Sequence, residues 1–244
     1  LALSLYGYQA ASHRVRLSQF QDGLAAAGID LQIQSLLDNS YLQRSFAGGR
    51  PSLRSLITAY GKRLKALHQA DHFDLLIVYG ELFPFLPFWL ERRLLKRPFV
   101  YDIDDAFYLK YRAGRLRWLL PLLGEKFERM MASAVSVTAG SSCLAAYSQR
   151  FNRSVTMLPS CVDTDHYLPV LQKSSDLADP SFTIGWIGSP STAPYLQLLV
   201  EPLQELAHER SVRLLVVGAP APVIFGVEVI EKPWSLQPEL SLIR

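Results

Sequence analysis

Short apolar runs recur along the chain at intervals of about 25–30 residues, and each is followed by a stretch whose apolar positions fall three or four apart. Leu1–Tyr6, the alternating Ile29, Leu31 and Ile33, Asp74–Tyr79, Phe99–Tyr101, Ala134–Thr138 and Val155–Leu158 read as strands. Between them the spacing predicts a helix capped by Ser12 that carries Val15, Leu17, Phe20 and Leu24 and stops at Gly28. Further helices are predicted over Ser52–Ala70, from Pro87 to Lys96, over Arg115–Ala132, and from a Ser141-Ser142 cap to Phe151. Asp38–Pro51, with Gly48-Gly49, reads as irregular. A continuous run such as DLLIVY is what a strand covered on both faces requires. The alternation of strand and helix therefore predicts an α/β fold with a doubly wound parallel sheet. Ligands of such sheets bind at the carboxyl ends of the strands, which places Gly7–Arg14, Gly80-Glu81, Asp104-Asp105 and Gly140–Ser142 on one rim.

The pattern lapses between Pro159 and Pro180, where proline, serine and charge dominate. This reads as a linker, dividing the chain into a first domain (1–165), a connection (166–180) and a second α/β unit (181–244). The second unit opens on Phe182–Ile187, followed by Gly188-Ser189-Pro190-Ser191-Thr192 and a helix from Pro194 to about Arg210. Strands Arg213–Val217 and Val227–Glu231 follow, with a last helix near Pro238–Arg244. Strand, small-residue turn and helix together build a phosphate site, because backbone can approach the ligand and first-turn N–H groups face an anion. Thr192 stands where an N-cap is expected and Pro194 where a first-turn proline is tolerated. The G-x-G-x-x-G spacing and a Walker lysine are both absent, which disfavours a dehydrogenase or a P-loop NTPase. So few strands would leave an exposed parallel edge, and LALSLYGY reads as the tail of a first strand, so the sequence reads as cut at both ends.

Composition refines this picture. Hydrophobic residues make up 49% of the chain, enough for a sizeable core, and no apolar run approaches the ~20 residues of a spanning helix. The start lacks the features of a signal peptide, and two cysteines form no disulfide framework, so the expected location is cytoplasmic. Residues 1–172 hold 20 Lys and Arg against 14 Asp and Glu, a charge of +6, whereas residues 173–244 hold 5 against 8, or −3. The basic, aromatic segment 109–131 is expected either to lie on an anionic membrane face, making the protein peripheral at the inner face, or to be an ordinary core helix with a solvated basic side. Nucleic acid is not expected as a partner, since no stacking platform accompanies the charge.

Candidate chemistry concentrates in Asp102-Ile103-Asp104-Asp105. Crowded carboxylates at a strand end repel one another unless something binds them, which points to a metal-bound diphosphate, a general base or a sugar-hydroxyl acceptor. The alternative is a solvated loop whose carboxylates cap the following segment. Glu81 ends the neighbouring strand and is a further candidate. The five histidines show no ligand spacing and no G-x-S-x-G occurs, so neither a zinc site nor a serine triad is expected.

SHRVRLSQFQDGLAAAGID, YDIDDAF, AGSSCLAAYSQRFN, LPSCVDTDHYLP and IGWIGSPSTAPYL together resemble the family 4 (group 1) glycosyltransferases, which have the two-domain GT-B fold. The resemblance implies a retaining, metal-independent enzyme with no cofactor, transferring sugar from a nucleoside-diphosphate sugar to a cell-envelope glycan or lipid-linked acceptor. It implies that Gly188, Ser189, Ser191 and Thr192 face the donor diphosphate and that Lys232, Pro233 and Trp234 approach the nucleotide base. It also implies that Asp104 and Asp105 are an acidic pair lining the cleft from the acceptor side; with Glu81 they are the catalytic candidates, and Ser12 and Arg14 are the acceptor-side candidates. Two departures stand out: GSPSTAP lacks the Arg and Lys that many members carry, and the chain ends before the E-x7-E region. This polypeptide alone is accordingly expected to be inactive. A non-catalytic module binding an anionic ligand or membrane surface, and a GT-B epimerase or phosphorylase, remain open alternatives.

Overall fold

The protein is described here by a computed structural model, which covers residues 1–46, 49, 51–112, 114–165, 167–168 and 181–234. The chain divides into two compact units, Leu1–Val162 and Asp163–Arg244. The expected connection therefore lies outside the described residues apart from Tyr167 and Leu168, and so does the helix expected near Pro238.

In the first unit the apolar runs form β1 (Ala2–Tyr6), β2 (Ile33–Leu37), β3 (Leu76–Tyr79), β4 (Phe99–Ile103), β5 (Ser136–Ala139) and β6 (Val155–Met157). They pair in parallel in the order β2-β1-β3-β4-β5-β6, with Ala2 beside both Ile33 and Ile77, and Tyr101 beside Val137. Leu3, Leu76, Val78, Tyr101 and Val137 are fully buried, as expected of strands covered on both faces. The strand order turns back at β1 and β3, so a crevice opens at their carboxyl ends.

The helices depart from the periodicity at identifiable points. The helix expected from Ser12 onward is broken into α1 (Ala11–Arg16), a 3-10 turn (Ser18–Phe20) and α2 (Gln21–Ala26). Gln19 Nε2 takes the Val15 carbonyl at 2.7 Å and reaches Cys161 O at 3.0 Å, so a side chain replaces the backbone ladder there. Ser12 lies inside α1, whose N-cap is Ala10. The second strand starts at Ile33 rather than Ile29, because Gln21 Nε2 occupies the Leu31 carbonyl at 3.0 Å.

The segment expected to be irregular contains α3 (Asn39–Phe46), started by Asp38, whose carboxylate accepts from Ser40 Oγ at 2.7 Å and Tyr41 N at 3.0 Å. The basic helix α4 (Leu53–His68) is capped by Ser52, and α5 (Phe88–Leu94) follows β3. Arg115–Ala132 is not one helix. A 3-10 stretch (Gly114–Leu119), α6 (Leu120–Leu123) and α7 (Lys126–Ser133) divide it, with Pro121 in the first turn of α6. The helix α8 (Ser142–Ser148) is capped by Ser141, whose Oγ accepts from Leu144 N.

The second unit has β7 (Phe182–Ile187), β8 (Val212–Val217) and β9 (Glu228–Lys232), parallel and in that order. Its connection after β7 is a 3-10 helix (Ala193–Leu199) running into α9 (Val200–Glu209), so the expected α-helix begins only at Val200. The core is smaller here, built on Leu196, Leu203, Val212, Leu214, Val216 and Ile224.

Candidate active site

The carboxyl ends of β1, β3, β4 and β5 carry the first group of site residues. Gly80 N bonds Asp102 O and Gly140 N bonds Ile103 O, which levels these strand ends into one rim. The acidic cluster separates by depth. Asp102 is 4% exposed and held by Arg16 through both oxygens, with Thr138 Oγ1 a further donor at 2.5 Å. Arg16 also donates to the Leu158 carbonyl, so one buried guanidinium fastens α1, β4 and the segment after β6.

Asp104 is half-buried on the rim and accepts from the Tyr79 hydroxyl at 2.8 Å, while the Ser12 hydroxyl bonds that same Tyr79. Burial raises the Asp104 pKa, and Asp102 adds to the rise, against the Tyr79 bond and Arg16. Asp105 is exposed and turns back to the N–H of Ala106 at 2.7 Å. The repulsion expected of three crowded carboxylates is thus relieved by protein partners, not by a required ligand.

Glu81 does not line this rim. It is 3% exposed and bonded to Lys126 at 2.9 Å, to Tyr111 Oη at 2.5 Å and to Lys110. Burial opposes its ionisation, but Lys126 and Lys110 outweigh it and hold its pKa below the ordinary value. Lys126 is shared with Glu91 at 3.0 Å, and burial raises the Glu91 carboxyl to about 7. This cluster anchors β3 to α5 and α7, and the expectation of a catalytic Glu81 has no geometric support.

Arg14 folds back on its own loop, donating to Tyr8 O at 3.2 Å and Gln9 O at 3.0 Å. His13, which no ligand spacing singles out, is 7% exposed, beside the Tyr8 ring, and its Nδ1 has no hydrogen-bond partner among the described residues. Burial and then Arg14 lower its pKa, which keeps the imidazole neutral at pH 7. Its position in S-H-R directly after the β1 loop was the available signal. Among the described residues no group of three His, Cys, Asp or Glu could hold a metal ion.

In the second unit Gly188 ends β7, and a Cβ there would lie 2.5 Å from the Trp186 ring and 2.9 Å from Thr192 Oγ1. The turn after it is closed by its own hydroxyls. Thr192 Oγ1 accepts from Ser189 N at 3.2 Å and donates to Ser189 O at 3.0 Å, and Ser189 and Ser191 bond each other at 2.7 Å. Thr192 holds the expected N-cap position, but its hydroxyl closes the turn instead of bonding an N–H of the helix.

Gly218, at the end of β8, completes the arrangement. It has φ 89°, and a Cβ on it would collide with the Gly188 carbonyl and lie 3.0 Å from Trp234 Cβ. Its N–H bonds Lys232 O at 3.0 Å. Gly218 thus brings the 188–192 turn together with Lys232, Pro233 and Trp234, as bare backbone flanked by hydroxyls and one aromatic ring. The run LLVVG, like GWIG before it, was the sequence signal for this residue.

No family model matches the chain, and no curated protein matches it. Among solved structures, sucrose-phosphate synthase from Thermosynechococcus elongatus superposes with a TM-score of 0.61 at 14% identity, over 99% of this chain and 72% of that one. UDP-GlcNAc 2-epimerase from Neisseria meningitidis, bound to UDP-GlcNAc, gives 0.49 at 12% identity over 99% and 75% of the two chains. A calicheamicin glycosyltransferase gives 0.39 at 12% over 93% and 69%. At these identities the likeness concerns fold, and the chain has the α/β architecture of two Rossmann-like units that is called GT-B.

Proposed function

We propose that the protein belongs to the sugar-transferring branch of this architecture and moves a glycosyl group from a nucleoside-diphosphate sugar to a hydroxyl of a cell-envelope glycan or lipid-linked acceptor. The observation that carries the reading is the meeting of Gly188, Gly218 and Trp234 at the strand ends of the second unit. The close approach that the two glycines permit brings the 188–192 turn and Trp234 to one place, where Ser189 and Ser191 offer hydroxyls and Trp234 offers a face for a base. Without an arginine or lysine in the turn, leaving-group charge is met by N–H and O–H dipoles and by Lys232.

In the first unit Asp104, positioned by Tyr79, receives the hydrogen bond of the acceptor hydroxyl. As the acceptor oxygen bonds the anomeric carbon, the bond from that carbon to the diphosphate breaks, and the hydroxyl proton passes to the departing phosphate. We propose retention of configuration, independence of metal, and action in the cytoplasm. No described helix is long and apolar enough to cross a membrane.

Saturation-transfer NMR of the protein with UDP-, GDP- and ADP-sugars tests this. A signal from one nucleotide, lost when Ser191 and Thr192 are replaced by Leu, supports the donor site and names the base. Silence from all three refutes it and favours a module that binds another anionic ligand.

A further inference from the structure

The segment 85–129 holds a feature that the transfer chemistry does not use. A cavity of about 820 Å³ opens on the first unit, lined by Trp89, Arg112, Arg117, Leu120, Leu122 and Arg129 among others. Of its lining, Trp89 and Leu122 are each just over half exposed, and in the same segment Trp118, next to Arg117, is 75% exposed and Phe85 just over half. Phe85 has φ 63°, a left-handed conformation that is unfavourable for a bulky residue. It is held there by a bond from its N–H to Tyr111 Oη at 3.1 Å, with Lys110 Nζ 5.8 Å from its ring. The buried network thus fixes an aromatic ring outward, against the tendency of apolar surface to be covered.

The charge around these groups is one-sided. Glu128 and Glu125 are taken by Arg112 and Arg129, and Glu91 and Glu81 by the buried Lys126. Arg92, Arg93, Arg115 and Arg117 are exposed and meet no carboxylate among the described residues, and Arg93 lies over the Trp89 ring at 5.4 Å. Protruding tryptophan and leucine interleaved with arginine match a lipid headgroup boundary, where rings and aliphatic groups enter the acyl region and guanidinium groups meet phosphates. A nucleic acid would use the arginines but leave Leu120 and Leu122 in water.

We propose that this face docks the protein on a bilayer rich in anionic phospholipid, with headgroup phosphates entering the cavity beside Arg112 and Arg117. The proposal stands independently of the transferase reading, because its test measures binding to lipid alone.

The test is sedimentation of the purified protein with phosphatidylcholine vesicles, with and without an equal share of phosphatidylglycerol. Binding is expected with the anionic vesicles only, and it should weaken as salt is raised. Arg115→Glu with Arg117→Glu should lower partitioning by at least tenfold, since each basic residue near such a surface adds roughly 1 kcal/mol, about a fivefold effect. Trp118→Ser with Leu122→Ser should lower it comparably while leaving far-UV circular dichroism unchanged. As a measurement on unaltered protein, phospholipids brominated in the acyl chain should quench tryptophan emission, and Trp118→Phe should remove much of that quenching. Sedimentation with neither vesicle, equal sedimentation with both, or retention of a nucleic acid duplex without vesicle binding would overturn the proposal.

Discussion

The two rims solve the same problem, presenting groups at the ends of parallel strands, with opposite means. In the first unit each rim residue stands on buried charge: Arg16 with Asp102 beneath Asp104, and Glu81, Lys126 and Glu91 beneath the β3 corner. The second unit relies on absence of side chains, with Gly188 and Gly218 in contact and a turn closed by three hydroxyls. A rim that must position a carboxylate to receive a substrate's hydrogen bond needs rigid support. A rim that must admit a large anion needs space and N–H groups instead.

The largest expected effect separates these means. Arg16→Ala removes one partner of a buried pair and leaves Asp102 uncompensated, which should cost about 3–5 kcal/mol in urea unfolding. Loss of less than ~1 kcal/mol would mean the pair is solvated, and the first rim would then resemble the second. Gly218→Ala is the counterpart: it forces a Cβ onto the Gly188 carbonyl at φ 89° and should cost about 1–3 kcal/mol. It should also abolish nucleotide-sugar signals in NMR, whereas Arg16→Ala, where still folded, should leave them intact.

Next in size is Asp104→Asn. Turnover should fall by about 10²–10⁴ with the unfolding midpoint nearly unchanged, because the rim carboxylate is not part of the buried pair. Asp105→Asn should cost much less, since that side chain is occupied with its own turn. The reverse order in a transfer assay would exchange their roles.

How far these distinctions could be read in advance depended on range. The strands and their alternation with helices were legible because apolar runs are local, and Gly188 was legible because it ends one. Asp102 and Asp104 could not be separated: in a sheet covered on both faces, neighbouring positions are all buried and periodicity does not rank them. What separates them is Arg16, 86 residues away from Asp102. Glu81 likewise looked like a rim residue until Lys126, 45 residues on, drew it inward. The broken helices had local causes, Gln19 and Pro121, but a side chain competing for a backbone carbonyl leaves no trace in hydrophobic spacing. The hydroxyl turn at 188–192 stayed legible because its groups act within their own turn, whereas Gly218, which meets it from another strand, did not.

The buried support of the first rim should also show in pH dependence. Glu91 has a folded pKa near 7, above its ordinary value of 4.5, so the folded state holds more protons across that window. Stability should fall as pH rises from about 4.5 to about 7 on this account. Glu91→Gln should flatten that decline, as measured by thermal unfolding across the window. An unaltered slope would assign the decline to other groups and weaken the view that one proton is part of the network.

The smallest effects discriminate most finely. Ser141 and Thr192 each use a hydroxyl within a turn at a strand's carboxyl end, the first to cap α8 and the second to bond Ser189 twice. Alanine at either position should cost about 1 kcal/mol, the usual loss of a cap or a turn bond. Their functional consequences should differ. Ser141→Ala should leave donor affinity and turnover within about twofold, because its oxygen is committed to Leu144 N, a loss of stability alone. Thr192→Ala leaves Ser189 N without its side-chain acceptor, while Ser189 O keeps the backbone N–H groups of Thr192 and Ala193. The loosened turn should lower nucleotide-sugar affinity by about tenfold, the equivalent of one neutral hydrogen bond lost from a binding surface. If titration calorimetry finds affinity unchanged in Thr192→Ala, the turn is merely a chain reversal, and the bare backbone at Gly188 and Gly218 alone would have to account for donor binding.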